Sequence, residues 1–338
     1  MPITTIHTPP LPPVPGLSTT SLLVELPGAR LHVAEQGAGP LVLLVHGFPE
    51  TWWSWRHQLP ALAAAGFRAV AVDLPGHGLS TAPAYPDGYR ATALVQHLAD
   101  LVAALGERNA VLVGHDVGSP LVSTAALLRP DVVRAVGLLG VPYAPRGGPR
   151  PSEAFAALGA DPEFYVSWFQ QPGRAEADIE ADVRRWLSGL VTGLSGGAHT
   201  SPGPDGLFFV PAGARMSDRF PTGPLPGWLT AAELEVTVQA FTRTGFAPAL
   251  ARYRSLDRDW ADLAALDGAP VRQPSLFIGG TTDSTTTWMA DVIAALPGTM
   301  TGLRGSHLVA GAGHWVHQER ADAVNALLVD WLRGLPAG

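Results

Sequence analysis

The sequence predicts a mostly parallel α/β sheet flanked by helices, with a helical segment inserted into it. Three observations carry this. Short apolar runs alternate with helix-spaced segments as far as residue 141. The alternation stops over residues 142–265 and then resumes. Strand-like runs end in glycine-rich turns, above all in Ala110–Pro120, AVLVGHDVGSP.

Each element follows from its own residues. Residues 1–20 are proline-rich and read as an extended arm over the surface. Ser21–Leu26 and Leu31–Glu35, split by Pro27-Gly28, read as an antiparallel hairpin at a sheet edge. Leu41–Val45 is continuously apolar, the pattern of a strand buried on both faces. Trp55–Ala65 has helical spacing and stops at Gly66. Arg68–Asp73 is another buried strand, and Thr92–Leu105 an amphipathic helix closed by Gly106. After Ala110–Pro120 and a helix comes the strand Ala135–Val141. Residues 142–265 are rich in Pro, Gly and Trp, with helical pieces and no clear buried strand. They read as a lid, which can close a site and exclude water. Ser275–Ile278 and His307–Ala310 are late strands, and Asp322–Leu332 is a closing amphipathic helix. The expected division is an arm over 1–20, a core over 21–141 and 266–338, and a lid over 142–265.

Composition removes several classes of function. With 22 basic against 29 acidic residues the net charge is −7, and no basic block stands out. A nucleic-acid footprint and an anionic membrane surface are therefore not expected. There is no Cys, so disulfides, thiol catalysis and Cys-ligated metals are excluded. Every basic residue is Arg, which excludes a lysine Schiff base and a P-loop lysine. No apolar run is long enough to span a bilayer, and residues 1–20 lack the basic and apolar stretches of a secretory signal. A cytoplasmic protein is expected.

The chemistry centres on Gly114-His115-Asp116-Val117-Gly118. A strand runs into it and a helix runs out. This is the frame of a nucleophile elbow, G-x-S-x-G, with Asp in the serine position. Such a tight turn needs glycine on both sides, and it presents the central residue at the edge of the sheet. An Asp there can attack as a carboxylate and form an ester. Taken alone, the pentapeptide also fits a strand end with a glycine turn and a helix-capping Asp. Asp283 and His314 each follow a late strand. In a parallel sheet those strand ends share one edge with Asp116. Neutral His314 would then activate water, with Asp283 fixing its tautomer. Asp291 is the rival acid, but it lies in a helix-like stretch. Singly, Asp283 reads as a turn residue and His314 as a surface histidine; their joint placement favours catalysis. His46-Gly47-Phe48-Pro49 follows the third expected strand, so backbone N–H groups of Phe48 and Val117 are the expected oxyanion donors. His46 and His115 are expected to orient loops by hydrogen bonding. Phe48, Trp52 and Trp168 are candidates for an apolar pocket.

These motifs make a resemblance specific. His46-Gly47-Phe48-Pro49-Glu50, Gly114-His115-Asp116 and Gly313-His314-Trp315 resemble those of the soluble epoxide hydrolases of the α/β-hydrolase fold. So do two segments of the insertion, Phe164 to Gly173 and Gly245 to Arg254. The resemblance implies that Tyr165 and Tyr253 are the ring-opening tyrosines. It also implies a small apolar epoxide and water as substrates, without cofactor or metal. The chemistry is consistent: opening an epoxide leaves an alkoxide, which two phenols can hydrogen-bond and one can protonate. The sequence departs from the family at Val117, where many members carry Trp, and that should alter one pocket wall. A haloalkane-type dehalogenase shares the Asp nucleophile but needs donors for a leaving halide. A non-catalytic ligand-binding protein of the same fold is the third reading. No nucleic-acid partner or membrane insertion is expected, and a homodimer is the oligomer considered.

Overall fold

The computed structural model describes residues 1–83, 86–198, 201, 203–221 and 223–336. Nine strands form one sheet: β1 (Ile3–Ile6), β2 (Thr20–Leu26), β3 (Ala29–Gln36), β4 (Leu41–Val45), β5 (Arg68–Val72), β6 (Ala110–His115), β7 (Val133–Leu139), β10 (Ser275–Gly280) and β11 (Leu303–Val309). The two short strands between them in the chain, β8 (Glu163–Phe164) and β9 (Phe209–Val210), pair separately. The order across the large sheet is β1-β2-β3-β5-β4-β6-β7-β10-β11. The first four neighbours in that row pair antiparallel; from β5 to β11 every pair is parallel.

Central strands β4 and β6 are buried throughout, as their unbroken apolar runs require. One apolar layer includes Leu43, Val70, Leu112 and Phe277; the layer on the opposite face includes Val42, Val113, Ile278 and Trp331. This alternation is the period of two in a strand, with successive side chains on opposite faces. Parallel strands share a direction, so β4, β6, β10 and β11 deliver the residues after them to one edge. Between β7 and β10 the chain leaves the sheet and forms helices including Val183–Leu194, Ala231–Thr244 and Ala247–Arg254. Their apolar faces make a third cluster, with Phe169, Trp186, Phe241 and Phe246 packed against Phe48 and Trp315 at the sheet edge.

Two local readings of the sequence change. Residues 1–20 do not simply lie extended over the surface: Ile3–Ile6 pairs with β2 in the register Ile3↔Val24 to Ile6↔Ser21. Its β-branched residues suit a strand, and without them β2 would be an open edge. The hairpin β2–β3 is therefore one strand in from the edge. The insertion also contains strand, because Phe164 and Phe209 are buried partners in β8 and β9. Among the described residues, no helix is long and apolar enough to cross a membrane.

The turn after β6 is packed to the limit. Asp116 has φ 50°, and it is the only non-glycine residue with positive φ among the described residues. Asp tolerates that region better than most residues. Its N–H donates to the Leu139 carbonyl at 3.1 Å, and its carbonyl accepts from Ser119 N–H at 3.0 Å. A Cβ on Gly114 would lie 2.3 Å from the Gly118 carbonyl oxygen, and one on Gly118 would lie 2.4 Å from that of Val45. Both contacts are with backbone, which cannot swing aside. Gly114→Ala is therefore expected to lose about 3 kcal/mol by overpacking, read from urea unfolding. A loss below about 1 kcal/mol would mean that the turn has slack.

Candidate active site

Asp116, Asp283 and His314 converge at the carboxyl edge of the sheet. The elbow presents Asp116, and the loop after β4 supplies a donor: Phe48 N–H to Asp116 Oδ1 at 2.8 Å. Asp283 follows β10 and caps the helix Ser284–Trp288, with Oδ1 accepting from Thr285 N–H at 2.9 Å. Its Oδ2 lies 3.2 Å from His314 Nδ1. On the other side of the ring, Nε2 lies 3.5 Å from Asp116 Oδ2. Asp291 lies in the helix Ala290–Thr299, and it is Asp283 that holds the imidazole.

Burial and charge compete at His314. Burial alone would lower its pKa, but the carboxylates of Asp283 and Asp116 outweigh it and hold the imidazole well above its ordinary value. Asp283 responds in the opposite direction. Burial pushes it up, and His314 with the Thr285 N–H brings it below the ordinary carboxylate range.

Tyr165 and Tyr253 face the same space. Their ring centroids are 6.2 Å apart, and both line the cavity that holds Asp116 and His314. Burial, then the charge of Asp116, raises both phenol pKa values above normal. Both stay protonated at neutral pH and can donate. A cavity opens onto Asp116 and His314 beneath the two phenols. Its walls are Phe48, Trp186, Phe208, Met216 and Trp288, among others.

The other sequence candidates divide. Phe48 lines this cavity. Trp52 and Trp168 do not. Trp52 is buried in the core, 6.2 Å from the His32 ring, with its backbone N–H on Asp73. Trp168 is buried in the insertion, with the Arg174 guanidinium over its ring. Val117 stands at the N-cap of the helix Gly118–Leu128. It lines a smaller neighbouring cavity on the far side of Phe48, with Leu74, Leu121 and Ala249. The sequence reading missed Trp186, Phe208, Met216 and Trp288. Trp186 sits on the amphipathic helix Val183–Leu194, a pattern that reports burial but not what the buried face meets. Phe208 lies in a turn, and Met216 opens the 3₁₀ helix Met216–Arg219, which at four residues is too short to show a period.

His46 and His115 do orient loops. His46 Nδ1 donates to the Gly47 carbonyl at 2.8 Å, and Nε2 accepts from Leu74 N–H at 3.0 Å. His115 Nε2 donates to the His314 carbonyl at 2.9 Å, and Nδ1 lies 2.7 Å from Glu50 Oε2. Glu50, His115 and His317 place three potential ligand atoms within 4.8 Å of one another. Both nitrogens of His115 are already engaged, so a cation there would have to break these bonds.

The motifs and the geometry agree with what the chain is similar to. A model of the alpha/beta hydrolase fold matches residues 40–321. Epoxide hydrolase A of Mycobacterium tuberculosis is 40% identical, over 94% of this chain and 98% of its own length. The chain belongs to the epoxide hydrolases of the alpha/beta hydrolase fold. Within that family, epoxide hydrolase B of the same organism is 36% identical over 94% of this chain and 99% of its own length. Among solved structures, an epoxide hydrolase from an endophytic Streptomyces is 60% identical with a TM-score of 0.92, covering 95% of this chain and 96% of the other. Epoxide hydrolase A from Mycobacterium thermoresistibile is 41% identical with a TM-score of 0.88, covering 95% and 100%.

The charge balance at His314 can be measured. By NMR, its imidazole is expected to titrate well above about 6.5, and Asp283→Asn should lower that value. Because the folded value is raised, its contribution to stability is full below the unfolded pKa and is lost as pH rises through the folded one. Titration near the ordinary value in the unsubstituted enzyme would contradict the assigned balance.

Proposed function

We propose that this family member opens epoxides through a covalent ester on Asp116 and releases vicinal diols. The observation that supports this best is the placement of His314 and two protonated phenols about one half-buried carboxylate. Asp116 attacks an epoxide carbon, forming a C–O bond as the ring C–O bond breaks. The ring oxygen takes its proton from Tyr165 or Tyr253 while the other phenol holds it by a hydrogen bond. His314, oriented by Asp283 and left neutral by returning a proton to the phenolate, then takes a proton from water; the resulting hydroxide attacks the ester carbonyl, the ester C–O bond breaks, the diol oxygen takes the remaining water proton and Asp116 is restored as a carboxylate. Phe48 N–H, already on Asp116 Oδ1, would stabilise the tetrahedral anion, with Val117 N–H as the second donor. Residues 142–265 act as a lid that carries both tyrosines and keeps bulk water out.

A dehalogenase is the weaker reading. It would use the same ester, but residue 117 carries no N–H side chain for a halide and the paired phenols would have no task. Diol from an epoxide, against halide from a haloalkane, separates the two.

The covalent route is tested by single turnover in ¹⁸O-water with enzyme in excess. The first diol should carry little label, because its new oxygen comes from Asp116. The label should enter the peptide that contains Asp116 and appear in diol only in later turnovers. A first diol labelled at once, with Asp116 unlabelled, would mean that water attacks the epoxide directly.

The tyrosines are tested separately. Tyr165→Phe and Tyr253→Phe should each slow ester formation, and the double variant should lose about 10²–10⁴ in rate. Stopped-flow alkylation at full speed in a folded double variant would remove the phenols from the mechanism.

A further inference from the structure

Behind His314, the loop that carries it meets the inserted segment with no side chain between them. A Cβ on Gly313 would lie 2.3 Å from the Leu194 carbonyl oxygen and 2.5 Å from the Gly196 nitrogen. A Cβ on Gly196 would lie 2.1 Å from the Gly311 carbonyl oxygen and 2.8 Å from Glu319 Oε2. Only glycine fits at either position without moving backbone.

Glu319 bridges this seam. Its Oε2 accepts from Gly196 N–H at 2.7 Å and from Gly313 N–H at 3.0 Å. Its Oε1 accepts from Trp315 N–H at 3.1 Å. The N–H of His314 itself donates to the Leu194 carbonyl at 2.9 Å. The Trp315 indole adds a bond to the Val191 carbonyl at 3.1 Å. Three consecutive backbone N–H groups, those of residues 313, 314 and 315, are thus held, the middle one by the inserted segment and the outer two by Glu319. Glu319 as a whole residue is 9% exposed, so these bonds are largely shielded from water. Charge-assisted bonds of this kind are stronger than neutral ones.

We propose that Glu319 is a positioning residue, and that through Gly196 it makes docking of the inserted segment a condition for aiming His314. The inference rests on the reading of His314 as the base that hydrolyses the ester. Nothing in this clamp touches the nucleophile. Asp116 is set by its own turn and by Phe48 N–H. Tyr165 is tied through its N–H to the Phe208 carbonyl at 2.7 Å, and Tyr253 lies in the helix Ala247–Arg254. The insertion is also fastened elsewhere, by Arg56 Nε on Glu233 Oε1 at 2.9 Å. Loosening the clamp should therefore affect the second chemical step much more than the first.

Gly196→Ala attacks the clamp from the inserted segment, and Glu319→Gln attacks it from the core while keeping size and shape. Rapid-quench mass spectrometry with styrene oxide as probe gives ester formation and ester hydrolysis separately. In both variants hydrolysis is expected to slow by about 10²-fold, the typical cost of misplacing a reacting group by about 1 Å. Ester formation should stay within about 3-fold, and the ester should accumulate. If Gly196→Ala does not fold, Glu319→Gln decides the matter alone. Equal slowing of both steps would reduce Glu319 to a general structural role and overturn the proposal, as would unchanged hydrolysis. Absence of any ester in the unsubstituted enzyme would remove the underlying mechanism as well. An ester that forms normally and hydrolyses normally in both variants would remove this inference only.

Discussion

His314 lies between Asp283 at 3.2 Å and Asp116 at 3.5 Å, and Asp283 and His314 are almost wholly removed from water. Two carboxylates this close repel each other, and burial disfavours the charge of Asp283. A protonated imidazole between them offsets both effects, provided that each anion also finds a donor. Phe48 N–H serves Asp116 and Thr285 N–H serves Asp283. The arrangement thus needs four chain segments at one point: the loop after β4, the turn after β6, the cap after β10 and the loop after β11. A parallel sheet supplies that meeting point because its strands end on one side. The close backbone contacts at Gly114 and Gly118 follow from the same demand, since a side chain on Gly118 would push the turn off β4 and one on Gly114 would force the turn itself open.

A second buried anion holds three of these segments in register. Glu50 accepts from Gly47 N–H at 3.0 Å and faces His115 Nδ1 at 2.7 Å. The other nitrogen of His115 donates to the His314 carbonyl at 2.9 Å. The loop bearing Phe48, the turn bearing Asp116 and the loop bearing His314 therefore share one hydrogen-bonded unit. Burial raises the Glu50 carboxyl, but the facing histidines and the Gly47 N–H win, leaving it far below its ordinary value and ionised. Removing either partner would leave a buried charge or donor unsatisfied, which is the costly direction of change.

The sequence showed the frame better than the walls. Continuous apolar runs marked β4 and β6, and glycine spacing marked the turn, because backbone geometry limits the residues allowed there. Asp283 and His314 were readable because each directly follows a strand, and parallel strands place their ends together. Ile3–Ile6 was hidden in a proline-rich stretch, where four residues give too little alternation to register. Phe164 and Phe209 pair across a long chain separation with two residues each, a contact that no local period reports. Trp52 and Trp168 looked like pocket residues because they are large and aromatic, but size alone does not say which cavity a ring faces. The walls come from loops and helix faces of the insertion, where tertiary packing decides. Val117 shows the same limit: its position beside Asp116 is fixed by the turn, yet its side chain borders the cavity beyond Phe48.

The raised pKa of His314 fits the proposed cycle once protons are counted. Before reaction, the Asp116 carboxylate helps to keep the imidazole protonated. In the proposed cycle, ester formation would consume that charge and remove one of the two carboxylates that raise His314. Its proton affinity would then fall at the stage that needs a neutral base. On that route, the phenol that protonates the ring oxygen would become a phenolate in a site where burial strongly disfavours that charge. A proton leaving His314 balances the one the phenol lost, so the solvent need not supply any. On the proposed route, hydrolysis would regenerate the Asp116 carboxylate and leave the released proton on His314. The proposed cycle would thus return to the starting ion pair, with the imidazole a base only while the ester exists.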